Sequence, residues 1–158
     1  IESHQYLRDV TFSIQRILGE IIDELNTVAE DKEVKLTGDF IRDYVFKKAN
    51  RSLVFSMFYN VLNNAVKNTD PGGKIIVNSN IVHSRFQVII TDTGKGMNDA
   101  QMSTLFSRFK TRNVYDEDGT GIGLAIAKSI ADFHKIEISV SSEVEKGTTF
   151  SFIFPVIS

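Results

Sequence analysis

Residues 51–68 read RSLVFSMFYNVLNNAVKN and run into Thr69-Asp70-Pro71-Gly72-Gly73. Val54, Met57, Phe58, Val61, Leu62 and Ala65 recur at three-and-four spacing, which predicts a helix with one apolar face. Asp70-Pro71-Gly72-Gly73 stops it with strong turn chemistry. The other face is unusual. Asn60, Asn63, Asn64 and Lys67 fall at i, i+3, i+4 and i+7 and line one stripe. Asparagine is a poor helix former, because its amide competes for backbone hydrogen bonds. A merely solvated face would carry Glu, Lys or Gln, so this stripe points to a use. Asn60 and Asn64, one turn apart, aim two carbonyl oxygens at one point, with Lys67 a turn further on. Neutral oxygens beside a lysine suit a Mg²⁺ ion already bound to phosphates, since Mg²⁺ takes few protein ligands. The structural alternative is an amide stripe that satisfies loop backbone.

On either side of this helix the pattern alternates between strands and helices. Residues 1–10 are polar and read as the end of a preceding helix, leaving 11–158 as the domain. Val10–Ile14 reads as a short strand, and Ile17 to Ala29 follows helical spacing. Val34–Leu36 and Tyr44–Phe46 read as strands. Lys74–Ser79 and Arg85–Thr91 read as a pair joined near His83-Ser84. Ile122 to about His134 is helical, and Ile136–Val140 and Thr149–Pro155 close the chain as strands. The resulting class is α+β, a two-layer sandwich with a sheet covered on one face by about three helices.

At 158 residues with formal net charge −2 and no cysteine, the chain is one domain. A disulfide framework, a thiolate zinc site and a cysteine nucleophile are excluded. The balanced charge gives no case for a nucleic-acid or anionic-membrane partner. No apolar run approaches the roughly 18 residues of a membrane span and no signal peptide opens the chain. The expected location is therefore cytoplasmic. A start at Ile1 rather than Met reads as a fragment of something longer, whose parent could itself be membrane-anchored.

Of ten glycines, five fall between Gly94 and Gly123. Asp92-Thr93-Gly94-Lys95-Gly96-Met97 follows a strand, and its glycines let another group approach the backbone. An ionised Asp92 accepts only, so it suits the amino group of a base such as adenine; a plain Asp-x-Gly turn is the bland reading. Gly119-Thr120-Gly121-Ile122-Gly123-Leu124 enters a helix, where unpaired N–H groups and the helix dipole favour an anion. It is neither a P-loop nor a Rossmann fingerprint. Between them, Arg108, Lys110 and Arg112 form a cationic run that could face phosphates or simply water.

In this order, the motifs resemble the ATP-binding catalytic domain of sensor histidine kinases, in the superfamily shared with gyrase, MutL and the large heat-shock chaperones. The resemblance covers Ile14 to Pro155. It rests on Asn60–Lys67, Asp92–Met97, Leu105-Phe106-Ser107-Arg108-Phe109, Gly119–Leu124 and the closing Gly147-Thr148-Thr149-Phe150. It implies the Bergerat α/β sandwich with a mixed sheet. It implies ATP and Mg²⁺ as cofactors, with the metal on Asn60 and Asn64 and with Lys67 on phosphate. Asp92 takes the adenine amino group, beside Gly94, Gly96 and Met97. Gly119, Thr120, Gly121, Ile122, Gly123 and Leu124 face the phosphates, with Arg108, Lys110 and Arg112 nearby. A mobile ATP lid is implied from about 98 to 118. Three positions depart from the pattern. Asn68 stands where an aromatic often helps hold the adenine, Thr111 stands for a lid arginine, and Lys135-Ile136 replaces Gly-Gly.

Position 60 separates the chemistries. Hydrolytic relatives carry a Glu there as general base, whereas the amide of Asn60 takes up no proton near neutral pH. That favours phosphoryl transfer to an imidazole over ATP hydrolysis, with a nucleotide-binding regulatory module as the alternative. The acceptor histidine is not recognisable in the chain. His4 lacks the acidic neighbour of the acceptor motif, His83 falls at a hairpin turn, and His134 at a helix end where a cation suits the dipole. The partners implied are a dimerising acceptor domain of the same parent and a response regulator.

Overall fold

A computed structural model of the chain describes residues 10–111 and 120–157. The elements in order are β1 (Val10–Ser13), α1 (Ile14–Asp31), β2 (Lys35–Phe40), β3 (Val45–Ala49) and α2 (Arg51–Asn68). They continue with β4 (Lys74–Val82), β5 (Arg85–Asp92), α3 (Asp99–Thr111), α4 (Thr120–Phe133), β6 (Glu137–Glu143) and β7 (Gly147–Val156). Five strands form one sheet in the order β2-β4-β5-β7-β6. Only β2 and β4 run parallel, and the connection between them carries β3 and α2, as a parallel pair requires. The other neighbours are antiparallel, so the sheet is mixed as expected. β1 and β3 pair as a separate ribbon.

Alternation along the strands decides which face is covered. Ile75, Val77, Phe86, Val88, Ile90, Phe150, Phe152 and Phe154 are buried and join one cluster with Ile17, Leu18 and Ile21 of α1. Met57, Phe58 and Leu62 of α2 and Ala127 and Ile130 of α4 complete it. Phe58 meets Phe152 edge-on with ring centres 4.9 Å apart, a geometry that adds to simple burial. The opposite face of the sheet alternates partly exposed residues such as Asn78, Gln87 and Ser151. α1, α2 and α4 cover this face, as expected, and α3 is a fourth helix among the described residues. No helix among them is long and apolar enough to cross a membrane.

The start of α1 and the end of β4 move outward from the sequence expectation, while α2 keeps its expected span and the β4–β5 turn its expected place; local contacts account for these ends. α1 begins at Ile14, before the periodic run at Ile17, because Ser13 Oγ accepts the Arg16 N–H at 3.1 Å. Asp43 steadies that cap by accepting from Ser13 Oγ at 2.6 Å and from the Gln15 N–H at 2.9 Å. Asn50 caps α2 through the Leu53 N–H at 2.9 Å. At the other end of α2, Lys32 Nζ donates to the carbonyls of Val66 and Lys67 at 2.9 and 2.6 Å. The β4–β5 hairpin turns on His83 and Ser84, with φ of 52° and 62°, as a two-residue hairpin of right-handed twist demands.

His134 corrects one expectation. It is buried; its Nε2 accepts the Asn50 N–H at 3.2 Å and its Nδ1–H donates to the Ile130 carbonyl at 2.9 Å. Accepting at Nε2 requires the neutral ring, and burial lowers its pKa against the opposing effect of the Ile130 bond. It is a neutral clamp between α4 and the start of α2, not a cation on a helix dipole. Lys135 adopts φ 59°, the left-handed region that the usual Gly-Gly would enter without strain, so this departure is a turn variation as expected.

Candidate functional site

β5 ends at Asp92 and α2 ends at Asn68, and a cavity of about 520 Å³ opens between these ends and α3. Asn64, Asn68, Asp92, Gly96, Met97 and Leu124 line it, with Leu105, Thr148 and Phe150 as further walls. Met97, Leu105, Leu124 and Phe150 supply its apolar lining, and Asn64, Asn68, Asp92 and Thr148 its polar groups. That balance suits a flat, mostly apolar ligand with a few polar edges.

Asp92 is buried, and its Oδ1 accepts the N–H of Gly94 at 2.8 Å and of Thr148 at 3.3 Å. No buried side-chain polar atom among the described residues lacks a partner, so Oδ2 opens on the cavity rather than being sealed away. Burial raises the Asp92 pKa above the ordinary carboxylate value, and the two amide donors pull it back. The carboxylate is thus held by one oxygen and presents the other as an acceptor.

The loop after Asp92 is clamped from below by the β6–β7 hairpin. A side chain at Gly96, which has φ +68°, would collide with the Glu143 carbonyl. One at Gly147, φ +116°, would collide with the carbonyl of Asp92 itself. The Lys95 carbonyl accepts the Glu145 N–H at 2.6 Å, and the Met97 N–H donates to Ser142 Oγ at 2.7 Å. Both glycines exist because backbone packs directly on backbone there.

The asparagine stripe forms as expected on α2. Asn60, Asn63 and Asn64 are half-buried and Lys67 is exposed. Asn60 Nδ2 donates to the Ser56 carbonyl at 2.7 Å and contacts Ser56 Oγ at 3.2 Å. Its oxygen therefore turns the other way, toward Gly123, where an added Cβ would lie 3.1 Å from Oδ1. An amide oxygen aimed at the first turn of α4 is a hard, neutral ligand. Among the described residues no group of three or more His, Cys, Asp or Glu could form an all-protein metal cage. The donor set fits a Mg²⁺ that arrives on phosphates and takes one or two protein oxygens.

The structure brings Asn64, Asp92, Gly96, Met97 and Leu124 to one cavity, with Gly94 holding Asp92. Asn60 and Lys67 are not among its walls; they sit along the same helix stripe. Thr120, Gly121 and Ile122 form the first turn of α4, and Arg108 and Lys110 lie in α3. Arg112 and Gly119 lie outside the described residues. Asp99–Thr111, inside the expected lid, is a regular helix. Thr148 was not among the expected site residues, although Gly147-Thr148 after a turn marks a place where backbone approaches closely.

Against known proteins, residues 49–158 match the model of the histidine kinase-, DNA gyrase B- and HSP90-like ATPase family. The chain belongs to this family. It is 31% identical over 141 residues to the adaptive-response sensory kinase SasA of Rippkaea orientalis, covering 87% of this chain and 36% of that protein. The catalytic domain of histidine kinase ThkA superposes with a TM-score of 0.80 at 19% identity, covering 95% of this chain and 97% of that one. Full-length ShkA in complex with AMPPNP superposes equally well, TM-score 0.80 at 20% identity, covering 96% of this chain and 32% of that one. These likenesses establish the α+β sandwich fold of a histidine kinase catalytic domain. This family member spans about a third of the length of the curated relatives it matches. It is an ATP-binding domain of the sensor histidine kinase type.

Proposed function

We propose that the parent protein is a histidine kinase in which this domain presents Mg-ATP to a histidine on a separate acceptor domain, and that a response regulator receives the phosphoryl group next. The observation that carries this reading is Asn60. It is an amide where a water-activating acid would have to stand, with its NH₂ tied to Ser56 and its oxygen turned toward α4. An amide has no proton affinity near neutral pH, so the site lacks a base for hydrolysis at that position. An imidazole nitrogen needs less help, being already a nucleophile.

In this reading Asp92 Oδ2 accepts the adenine amino group, and Met97, Leu105, Leu124 and Phe150 pack on the base. Asn60 and Asn64 would hold a Mg²⁺ ion that arrives with the triphosphate, and that ion would supply charge neutralisation on the transferring group. Lys67, the cations Arg108, Lys110 and Arg112, and the N–H groups of 119–124 take the phosphate oxygens. α3, the described part of the ATP lid that the resemblance implies, would cover them. The imidazole nitrogen bonds to the γ-phosphorus as the bond to the bridging oxygen breaks, and ADP leaves with the electron pair. Catalysis is then positioning and electrostatics rather than covalent help from the domain.

The test is to supply γ-labelled ATP, Mg²⁺ and a separately prepared acceptor-helix domain. Label on the acceptor histidine, with negligible turnover by this chain alone, is the expected result. Tight binding without transfer would favour a regulatory binding module, the reading that Asn68 in the cavity wall supports. Rapid phosphate release by the chain alone would favour a hydrolase.

A further inference from the structure

One hydroxyl sits where three parts of the cavity meet. Ser142, half-buried on β6, accepts the Met97 N–H at 2.7 Å. It donates to the Gly147 carbonyl at 3.1 Å and lies 2.8 Å from Thr148 Oγ1. Met97 opens the segment that leads into α3, while Thr148 lines the cavity and its N–H holds Asp92 Oδ1. Ser142 is not among the cavity walls, and it reaches them through the groups it bonds.

A serine has a single proton, and this limits the network. With that proton on the Gly147 carbonyl, Thr148 must donate to Ser142 and shows the cavity only lone pairs. With it turned to Thr148 Oγ1, the Thr148 proton is released toward the cavity. Both states keep the Met97 N–H satisfied. We propose that Ser142 is a positioning residue for nucleotide binding: it anchors the start of the lid at Met97 and sets whether Thr148 offers a proton or a lone pair beside Asp92. This rests on the nucleotide reading above. It adds a residue that touches neither base nor phosphate to those that determine affinity.

The experiment measures ATP affinity by calorimetry and Met97 amide exchange by NMR in this chain and in Ser142→Ala and Ser142→Thr. Removing the hydroxyl leaves the Met97 N–H and the Thr148 hydroxyl without their shared partner, so S142A is expected to bind ATP roughly tenfold more weakly. Its Met97 amide should exchange faster with or without nucleotide. S142T keeps the hydroxyl and is expected to restore both. A merely structural serine would lower the melting temperature but leave the affinity of the folded fraction unchanged, and that result would overturn the proposal. So would S142A with wild-type affinity and wild-type Met97 exchange. Failure of the wild-type chain to bind ATP would sink the nucleotide reading instead, and Met97 exchange would still decide the anchoring.

Discussion

Replacing Asp92 by Asn tests the base end of the cavity with a change of one atom. The geometry shows what survives. Oδ1 carries both internal bonds, from Gly94 at 2.8 Å and Thr148 at 3.3 Å, and an amide oxygen still accepts both, more weakly than a carboxylate. What changes is the atom open to the cavity, from an anionic acceptor to an N–H donor. Against an adenine amino group this removes a charge-assisted bond of about 1.5–3 kcal/mol and sets two donors face to face at a further ~1–3 kcal/mol. The sum, about 2.5–6 kcal/mol, corresponds to roughly two to four orders of magnitude in Kd. Stability moves the other way. Burial raises the Asp92 pKa, so its charge costs the empty fold free energy, which the neutral amide relieves. The expected outcome is D92N that melts no lower than wild type, loses ATP by calorimetry, and prefers inosine triphosphate, whose ring carries a carbonyl in place of the amino group. ATP affinity within about threefold of wild type in folded D92N would refute the assignment of Oδ2 as the base acceptor.

Three further predictions follow from particular contacts. Gly123→Ala places a methyl 3.1 Å from Asn60 Oδ1, so Mg-ATP affinity should fall by about tenfold while binding of free adenosine, measured by the same titration, is retained. Lys135→Gly relieves a left-handed φ of 59°, and chemical denaturation should show a gain of about 0.5–1 kcal/mol after the entropy cost of glycine. His134 has a folded pKa below its unfolded value, so the unfolded chain binds the proton first. Its contribution to stability is complete above the unfolded pKa and is lost as pH falls through and below it; His134→Gln melts should lose that part of the acid slope. Asp92 has the opposite sign, its raised pKa favouring the empty fold as pH falls toward the unfolded carboxylate value.

How legible the fold was depended on whether its signal is local. The apolar stripe of α2 is a period-3.6 pattern, and every position the spacing marked, Val54 to Ala65, is buried, with Val66 added beside it. The start of α3 was legible but passed over. Asn98 and Gln101 form a reciprocal capping box, Asn98 Oδ1 accepting the Gln101 N–H at 2.8 Å and Gln101 Oε1 the Asn98 N–H at 2.9 Å. Treating that stretch only as lid hid a four-residue signature in plain sequence. His134 was misjudged for a different reason. Its neutrality depends on Asn50, which lies 84 positions away, and no local pattern encodes such a partner. Thr148 and Ser142 were missed likewise, because hydroxyls on alternating strand positions read as ordinary surface until the hairpin is folded against the 94–97 loop. The ribbon of β1 and β3 is a long-range pairing between short apolar runs, and periodicity alone could not detach it from the main sheet.

The backbone-on-backbone seat of the loop at Gly96 and Gly147 has a consequence for inhibitor chemistry. The acceptor edge at Asp92 is set by main-chain atoms that have few ways to shift. A small planar heterocycle with one amino group and no phosphate should therefore find its half of the site already formed. Resistance through side-chain substitution at that floor is narrow, since any residue other than glycine at 96 or 147 meets a carbonyl. The affinity of compounds confined to this end should be nearly independent of magnesium.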